Sequence, residues 1–594
     1  MLRSRSFPID GGSIEFFYRG CDCEIILKDS KSSETLTVER GSSSSYMRVL
    51  WNLKSLSSKS VFVEVVDRGS DLDLKSFVVI PENTYEGELL FLEYSSQGIF
   101  VFGESELGEL YESDSLRPRY HFTPVSGWLN DPNGLAHWQG YYHMFYQYNP
   151  FKPVWGTMHW GHAISKDLVH WKHMPIFLHR DDVECDEDES GAFSGSAYPD
   201  GNRLAVMYTK HWDPRFHRDK IAQSQYVVVT HDGINHEPVG SHAVIEPGEE
   251  SLPNDFRDPK IFKEEDGLWG AVVGGSLDNK GRVILYRSKD LKNWSFSSVL
   301  YTCDENWARM VECPELLKLD GKHVLLISLV HYVEEIATYH AFHMVGRITD
   351  DTFEPDIVEK SDFGDDFYAA QTFIDDSGRR ILIAWTKAYS DHDRTINRKW
   401  AGIQTIPRQL SLNEKGRLRM EPVPEIAALR TAVTPDIELR ETTLGDAQLT
   451  AKLPSDSFEM EMSCSIDHPE DAIEIIIGSE DKKGEYISIG LNSERRLFIE
   501  VSVKEASDCS YHETLPLSDD VRSIDLRIFF DRSIVEVFAD DYTISGTRKF
   551  RFGNMKRHLA VLGHPGVFIE SLSVWEMSSI WKKGRQQSDW HQRV

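Results

Sequence analysis

Basic residues are in short supply in this 594-residue chain: 65 Lys and Arg stand against 95 Asp and Glu, a formal net charge of −30. Phosphate backbones are held by clustered cations, so a general nucleic-acid binder is excluded, and an anionic membrane surface would repel the chain. Cysteine is sparse as well. The seven, at 21, 23, 185, 303, 313, 464 and 509, are odd in number and follow no framework spacing. Cys21-Asp22-Cys23 is too tight for an ordinary disulfide and has no second pair with which to hold zinc. Reduced thiols and a cytoplasmic protein are therefore expected. Long apolar runs are missing too. No stretch reaches about 18 residues, and "MLRSRSFPIDGGSIEFF" lacks the apolar segment of a signal peptide, so neither a membrane span nor ordinary export is expected. In that setting the sequon Asn293-Trp294-Ser295 carries no weight. Helical periodicity is the last shortage; the best candidate is the Pro-initiated "PVPEIAALRTA" (422–432).

What the chain does have is short apolar alternation bounded by turn residues, as in "SVFVEVVDR", "QYVVVTHDG", "RRILIAWTKA" and "SIVEVFADD". That pattern predicts an all-β protein. The length exceeds what one core fills and suggests about two to four domains. We divide it into a Ser- and charge-rich β region (1–112), a region dense in Trp and Asp-Pro punctuation (115–421), a linker (422–435), a second alternating region (436–580) and a polar tail (581–594) frayed or docked by Trp590. Within the second, "HWGHAISKDLVHWKHMP" and "ILYRSKDLKNWSFSS" share one rhythm, a strand followed by Ser-Lys-Asp-Leu and a Trp. Repeated β-units of about 60 residues predict a propeller of about five blades.

Three carboxylates in that region lie beside Pro or Cys-Pro: Asp131 in "WLNDPNG", Asp258 in "NDFRDPKIF" and Glu312 in "RMVECPELLKLDG". Each sits just before or within a short strand. The inner strands of a propeller converge on one channel, so acids far apart in sequence meet there. Cleaving a glycosidic bond needs such a set, one acid to protonate the leaving oxygen and one carboxylate to attack or to activate water. Asn130 and the turn's N–H groups would keep Asp131 ionised, Arg257 would do so for Asp258, and the apolar flank of Glu312 would keep it protonated. Any one of these acids alone is more often a loop residue. Together with aromatic faces suited to sugars, they point to a carbohydrate site.

In order along the chain, "WLNDPNG", "QYNP", "WGTMHWGHA", "GAFSGSA", "FRDPK", "ECPELLKLDG", "DFYAAQTF" and "IPRQL", and later "IFFDRSIVEVFADD", resemble the β-fructofuranosidase family of glycoside hydrolases, family 32. The resemblance implies a five-bladed β-propeller followed by a C-terminal β-sandwich, with residues 1–112 as an extra N-terminal β-rich domain outside the family core. It implies Asp131 as nucleophile, Glu312 as acid/base and Asp258 as stabiliser of the transition state. It implies substrate contacts from Trp128, Asn130, Gln147, Trp155, Phe193, Ser194, Arg257, Tyr368 and Trp385. Sucrose and short fructo-oligosaccharides are the implied substrates, with no cofactor and no metal. Val311 stands where Trp is common in the family, which is expected to reshape the pocket beyond the fructosyl site.

His159 and His162, three apart, suggest a metal only weakly, and "DDVECDEDES" (181–190) lacks the Gly that a calcium loop needs. Of Asp362, Asp365 and Asp366, Asp366 precedes an aromatic expected to face a channel, and the other two are expected on the surface. Rival readings are a fructosyltransferase and a catalytically silent sugar-binding protein. The extra N-terminal surface also leaves a homo-oligomer open.

Overall fold

The computed structural model describes residues 1–581 apart from 57–58, 70, 96–97, 181–184, 186, 305–306, 334–335, 388–397, 445–448, 467, 469, 480–481, 483, 504–510, 518–520 and 554–555. The tail with Trp590, part of the acidic stretch 181–190 and Cys509 lie outside the described residues. The chain is all-β, and its described helical elements are Glu104–Glu112, Lys54–Leu56 and Pro424–Leu429. The last is the short Pro-initiated helix expected there. The first falls in a region read as strand. The Glu106 carboxylate accepts the Gly103 N–H at 2.8 Å, and acids occupy the first turn, so local capping overrides the preceding β alternation.

Residues 127–422 form five antiparallel sheets in chain order, beginning at Gly127–Trp138, Gly191–Asp200, Phe256–Lys263, Met310–Leu319 and Phe367–Ile374. Each of these first strands contacts the first strand of the next sheet, and the fifth returns to the first, which closes a ring. The short strand Trp400–Ala401 crosses from the end of the region to pair in parallel with Gly127 and Trp128. Strands inside the ring are buried on both faces and read as unbroken apolar runs, such as Ile381–Trp385. Outer strands such as Thr352–Lys360 are largely exposed.

Beyond residue 436, two six-stranded sheets face each other across one core that includes Phe458, Met460, Ile475, Ile487 and Phe530. Residues 1–103 make an eight-stranded sheet with its own core around Phe16, Ile25, Val63 and Phe77. The long strands Ser13–Asp29 and Thr35–Asn52 run through it, and their register shifts at Gly20.

A buried charged seam ties the ring to the last two sheets. Asp531 accepts the backbone N–H groups of Arg119, Tyr120 and His121. Glu536 accepts Ile406 N–H at 2.8 Å and Arg408 Nη2 at 2.6 Å. Both acids come from the "IFFDRSIVEVFADD" segment, so its charged residues serve the contact between the two parts of the chain.

Candidate active site

All five ring strands break register beside the site, and Gly127–Trp138 does so a second time at Gly134-Leu135. Two residues oppose one on the neighbouring strand at Asn130-Asp131, Asp258-Pro259, Cys313-Pro314 and Ala369-Ala370, and Ser194 is the extra residue in the fifth case. Such bulges re-aim side chains next to active sites. Asp258, Cys313 and Ala369 carry positive φ values of 63°, 45° and 54°, uncommon for residues with a Cβ.

These turns bring the acids together. Asp131 accepts Ser194 Oγ on Oδ2 at 2.6 Å and Asn130 Nδ2 on Oδ1 at 3.2 Å. Asn130 is itself held by Trp128 Nε1 at 2.9 Å, and its carbonyl accepts Gln404 Nε2 at 2.7 Å. Asp258 donates its N–H to Thr209 Oγ1 at 2.9 Å and accepts Cys313 N–H on Oδ2 at 3.0 Å. The Cys313 sulfur lies between two carboxylates, 3.7 Å from Asp131 and 3.5 Å from Asp258. Glu312 accepts Arg257 Nε and Nη2 on one oxygen, at 3.0 and 2.6 Å, and Tyr368 OH on the other at 2.5 Å.

The charge pattern differs from the sequence expectation. The Arg257 guanidinium turns to Glu312 on the next ring strand, so it is Glu312, not Asp258, that receives the fork. Burial pushes the Asp131 carboxyl up to about 6 against the Ser194 hydrogen bond, and the negative Glu312 adds to it. Asp258 is also raised, by burial first, with Arg257 opposing and the charges of Glu312 and Asp131 reinforcing. Three acids in one enclosed space disfavour full ionisation. Burial raises the Cys313 thiol well above its usual range, so this sulfur is a neutral donor rather than a thiolate.

Aromatic residues take different stations. Trp155 and Phe193 are half-buried and meet edge-on with centroids 6.2 Å apart, and Phe193 stacks on His211 at 4.3 Å. Gln147 is buried, and its Nε2 donates to Ala192 O at 3.0 Å. Trp385 is fully buried, edge-on to Trp128 at 5.9 Å and to Tyr368 at 6.5 Å. Val311 is buried among Val283, Leu285 and Leu329, on the strand face opposite Glu312, and does not border the acids. His159 and His162 are buried, and burial lowers both well below the usual imidazole range. Among the described residues no cluster of three or more His, Cys, Asp or Glu is placed to hold a metal.

Sequence reasoning missed Thr209, Gln223 and Gln404. Gln223 accepts Phe256 N–H and Arg257 Nη1, at 2.8 and 3.2 Å. Each is a single polar residue on a strand remote from the acid motifs. Cys313 alone had a signal, its place next to Glu312.

Comparison with known proteins follows the same division. The model of the glycosyl hydrolases family 32 N-terminal domain matches residues 121–422, and that of the family's C-terminal domain matches residues 425–576. The chain is 31% identical over 503 residues to a sucrose-6-phosphate hydrolase of Escherichia coli, covering 81% of this chain and 98% of that protein. It resembles the structure of a β-fructofuranosidase of Bombyx mori (28% identity, TM-score 0.65, 80% of this chain and 98% of that one), a variant of which is solved with sucrose. A family 32 glycoside hydrolase of Bifidobacterium adolescentis shares the fold over 98% of this chain and 100% of its own, with TM-score 0.80 at 21% identity.

Proposed function

The chain belongs to glycosyl hydrolase family 32, and from that premise we propose that it hydrolyses terminal β-D-fructofuranosyl bonds with retention of configuration. The observation that carries the reading is the meeting of Asp131, Asp258 and Glu312 at three bulges of the ring, with Cys313 between two of them. Asp131 attacks C2 of the fructosyl unit as the C2–O bond breaks, and Glu312 gives its proton to the departing oxygen. The resulting ester is hydrolysed when Glu312 takes a proton from water and the water oxygen attacks C2, releasing fructose and restoring the Asp131 carboxylate. Arg257 and Tyr368 hold the two oxygens of Glu312 and so fix the direction of its carboxyl for both proton transfers. Asp258 holds fructose hydroxyls and supports the oxocarbenium-like state. Trp155 and Phe193 form one wall of the sugar site, and Trp128, Asn130 and Ser194 set the direction of the nucleophile.

In this reading the five sheets are the blades of a propeller spanning 115–421, joined by the linker 422–435 to a β-sandwich at 436–580, with residues 1–112 as an accessory domain. Sucrose and short fructo-oligosaccharides are the substrates, in keeping with the sucrose bound to the Bombyx mori relative. A cytoplasmic location is favoured by six free cysteines among the described residues. No described helix is long and apolar enough to cross a membrane.

The test is release of fructose from sucrose, sucrose 6-phosphate, 1-kestose, inulin and levan by the wild type, Asp131→Asn and Glu312→Gln. We expect release by the wild type, loss in both variants, and β-fructofuranose as the first product by NMR. Release that persists in Asp131→Asn would reject the assignment of the nucleophile.

A further inference from the structure

Three buried aromatic side chains of the N-terminal sheet, Phe17, Tyr46 and Phe91, belong to the core of the ring instead of their own, and the first two meet at one point there. Phe17, on Ser13–Asp29, and Tyr46, on Thr35–Asn52, are buried with Trp128, Tyr148, Phe151 and Met158. Their common target is Phe151, in the turn between Tyr141–Asn149 and His159–Ser165. Tyr46 stacks flat on its ring at 4.2 Å and 5°, Phe17 meets it edge-on at 5.2 Å, and the Arg180 guanidinium sits 5.1 Å from its centroid. Tyr46 is fixed in turn, its hydroxyl donating to Asp73 Oδ2 at 2.5 Å and the Arg19 guanidinium lying 4.8 Å from its ring.

The gripped turn is the one that carries Trp155. Asn149 closes it from inside, accepting Phe151 N–H and donating to Val154 O, both at 3.0 Å. Phe151 is thus locked at one end in a socket built by another sheet. Four residues on, half-buried Trp155 meets Phe193 edge-on. A turn anchored at one aromatic transmits any tilt of that anchor to the next, since packed aromatic contacts have few alternative arrangements.

We propose that the N-terminal sheet sets the sugar wall of the active site, with Tyr46 and Phe17 as positioning residues that hold Trp155 through Phe151. The region outside the two family domains then has a role in substrate binding, as an extension of the rim and not as a separate module. This rests on the reading of Trp155 as a sugar contact.

The test compares Tyr46→Ala, Tyr46→Phe, Tyr46→Leu, Trp155→Ala and the double variant Tyr46→Ala/Trp155→Ala. For each, kcat, KM and Tm are measured on the best substrate. Phe77→Leu serves as a control, because Phe77 stacks on Phe16 inside the N-terminal core, away from the turn. Losing a positioned ring contact is expected to raise KM about threefold to tenfold in Tyr46→Ala, with kcat within about twofold. Tyr46→Phe keeps the ring and should stay near wild type. The double variant should match Trp155→Ala, and Phe77→Leu should lower Tm without moving KM. Should Tyr46→Ala not fold, Tyr46→Leu keeps the bulk without the flat ring and is expected to raise KM in the same sense. If Trp155→Ala raises KM while the Tyr46 variants do not, or if the two effects multiply in the double variant, the positioning role is wrong. If Trp155→Ala leaves KM unchanged, the reading of the sugar wall is wrong and the inference falls with it.

Discussion

Asp131 is held by two opposed forces, burial that favours its neutral form and the Ser194 hydroxyl that favours the carboxylate. Attack on C2 requires the carboxylate, so the acid limb of kcat/KM should lie near pH 6, where the free carboxyl titrates, and not near the ordinary carboxylate range. Ser194→Ala removes the stabilising donor and should move that limb upward by about 0.5–1 pH unit, so activity falls more at pH 5 than at pH 8. A pH profile of kcat/KM for both enzymes checks this, and an unmoved limb would assign it to another group. Asp258 permits a stability prediction. Its folded-state pKa lies above the unfolded value, so the native protein retains a proton that the unfolded chain has released. The acid therefore costs stability as pH rises through that window, and the cost vanishes at pH below the unfolded pKa. Asp258→Asn should be inactive yet melt higher than wild type at pH 8, by on the order of 2 kcal/mol, with the gap closing below about pH 4.

The element that makes the site is the bulged inner strand. A regular strand alternates its side chains strictly, so it cannot aim neighbouring residues at one centre; the inserted residue resets the direction. Asp258 depends on Thr209, whose hydroxyl accepts the Asp258 N–H and donates to Gln225 Oε1 at 2.7 Å. Thr209→Val keeps the shape and strands a buried N–H and a buried carbonyl. We expect a loss of about 1–3 kcal/mol in thermal stability, with kcat falling about tenfold as the bulge relaxes. Calorimetry and steady-state kinetics decide it; full kcat would mean that the bulge is held without Thr209. Strands and acids were legible because both leave local marks, alternation for the former and Asp-Pro or Cys-Pro punctuation for the latter. Thr209, Gln223 and Gln404 left none, since each reaches the site across a neighbouring strand. Trp385 stands fully buried against Trp128 and Tyr368, a position that sequence does not disclose, because an aromatic beside a channel motif reads the same whether it faces the cavity or backs it. Strand parity spoke on Val311: with Glu312 toward the acids, its neighbour must face the adjoining sheet. The helix at 104–112 escaped notice because capping, not an apolar stripe, starts it.

The whole molecule is joined by a seam of buried charge. His121 lies between Asp531 at 2.9 Å and Glu536 at 3.0 Å, and all three side chains are fully buried. Burial alone would drive the imidazole neutral, but hydrogen bonds and charge from the two acids outweigh it and hold the pKa at about 9. Both acids are in turn held below the usual carboxylate range, against burial, with His121 on both and Arg408 on Glu536. The imidazolium's contribution is therefore complete below the unfolded histidine pKa near 6.5 and is lost as pH rises through about 9. The acids withdraw theirs only as pH falls below the ordinary carboxylate range, so the two losses do not overlap. His121→Gln leaves two buried carboxylates short of their cation and should destabilise by about 3–5 kcal/mol at pH 6. The difference from wild type should shrink steadily between pH 6.5 and pH 9.5, because the wild type then loses the same charge. Scanning calorimetry across that range separates the alternatives. A gap independent of pH would mean that His121 is neutral in the folded protein and that the seam is held by hydrogen bonds alone. A gap that closes would make the seam ionic, and in the variant residues 436–580 should then begin to melt apart from the ring below pH 7, where wild type loses both together.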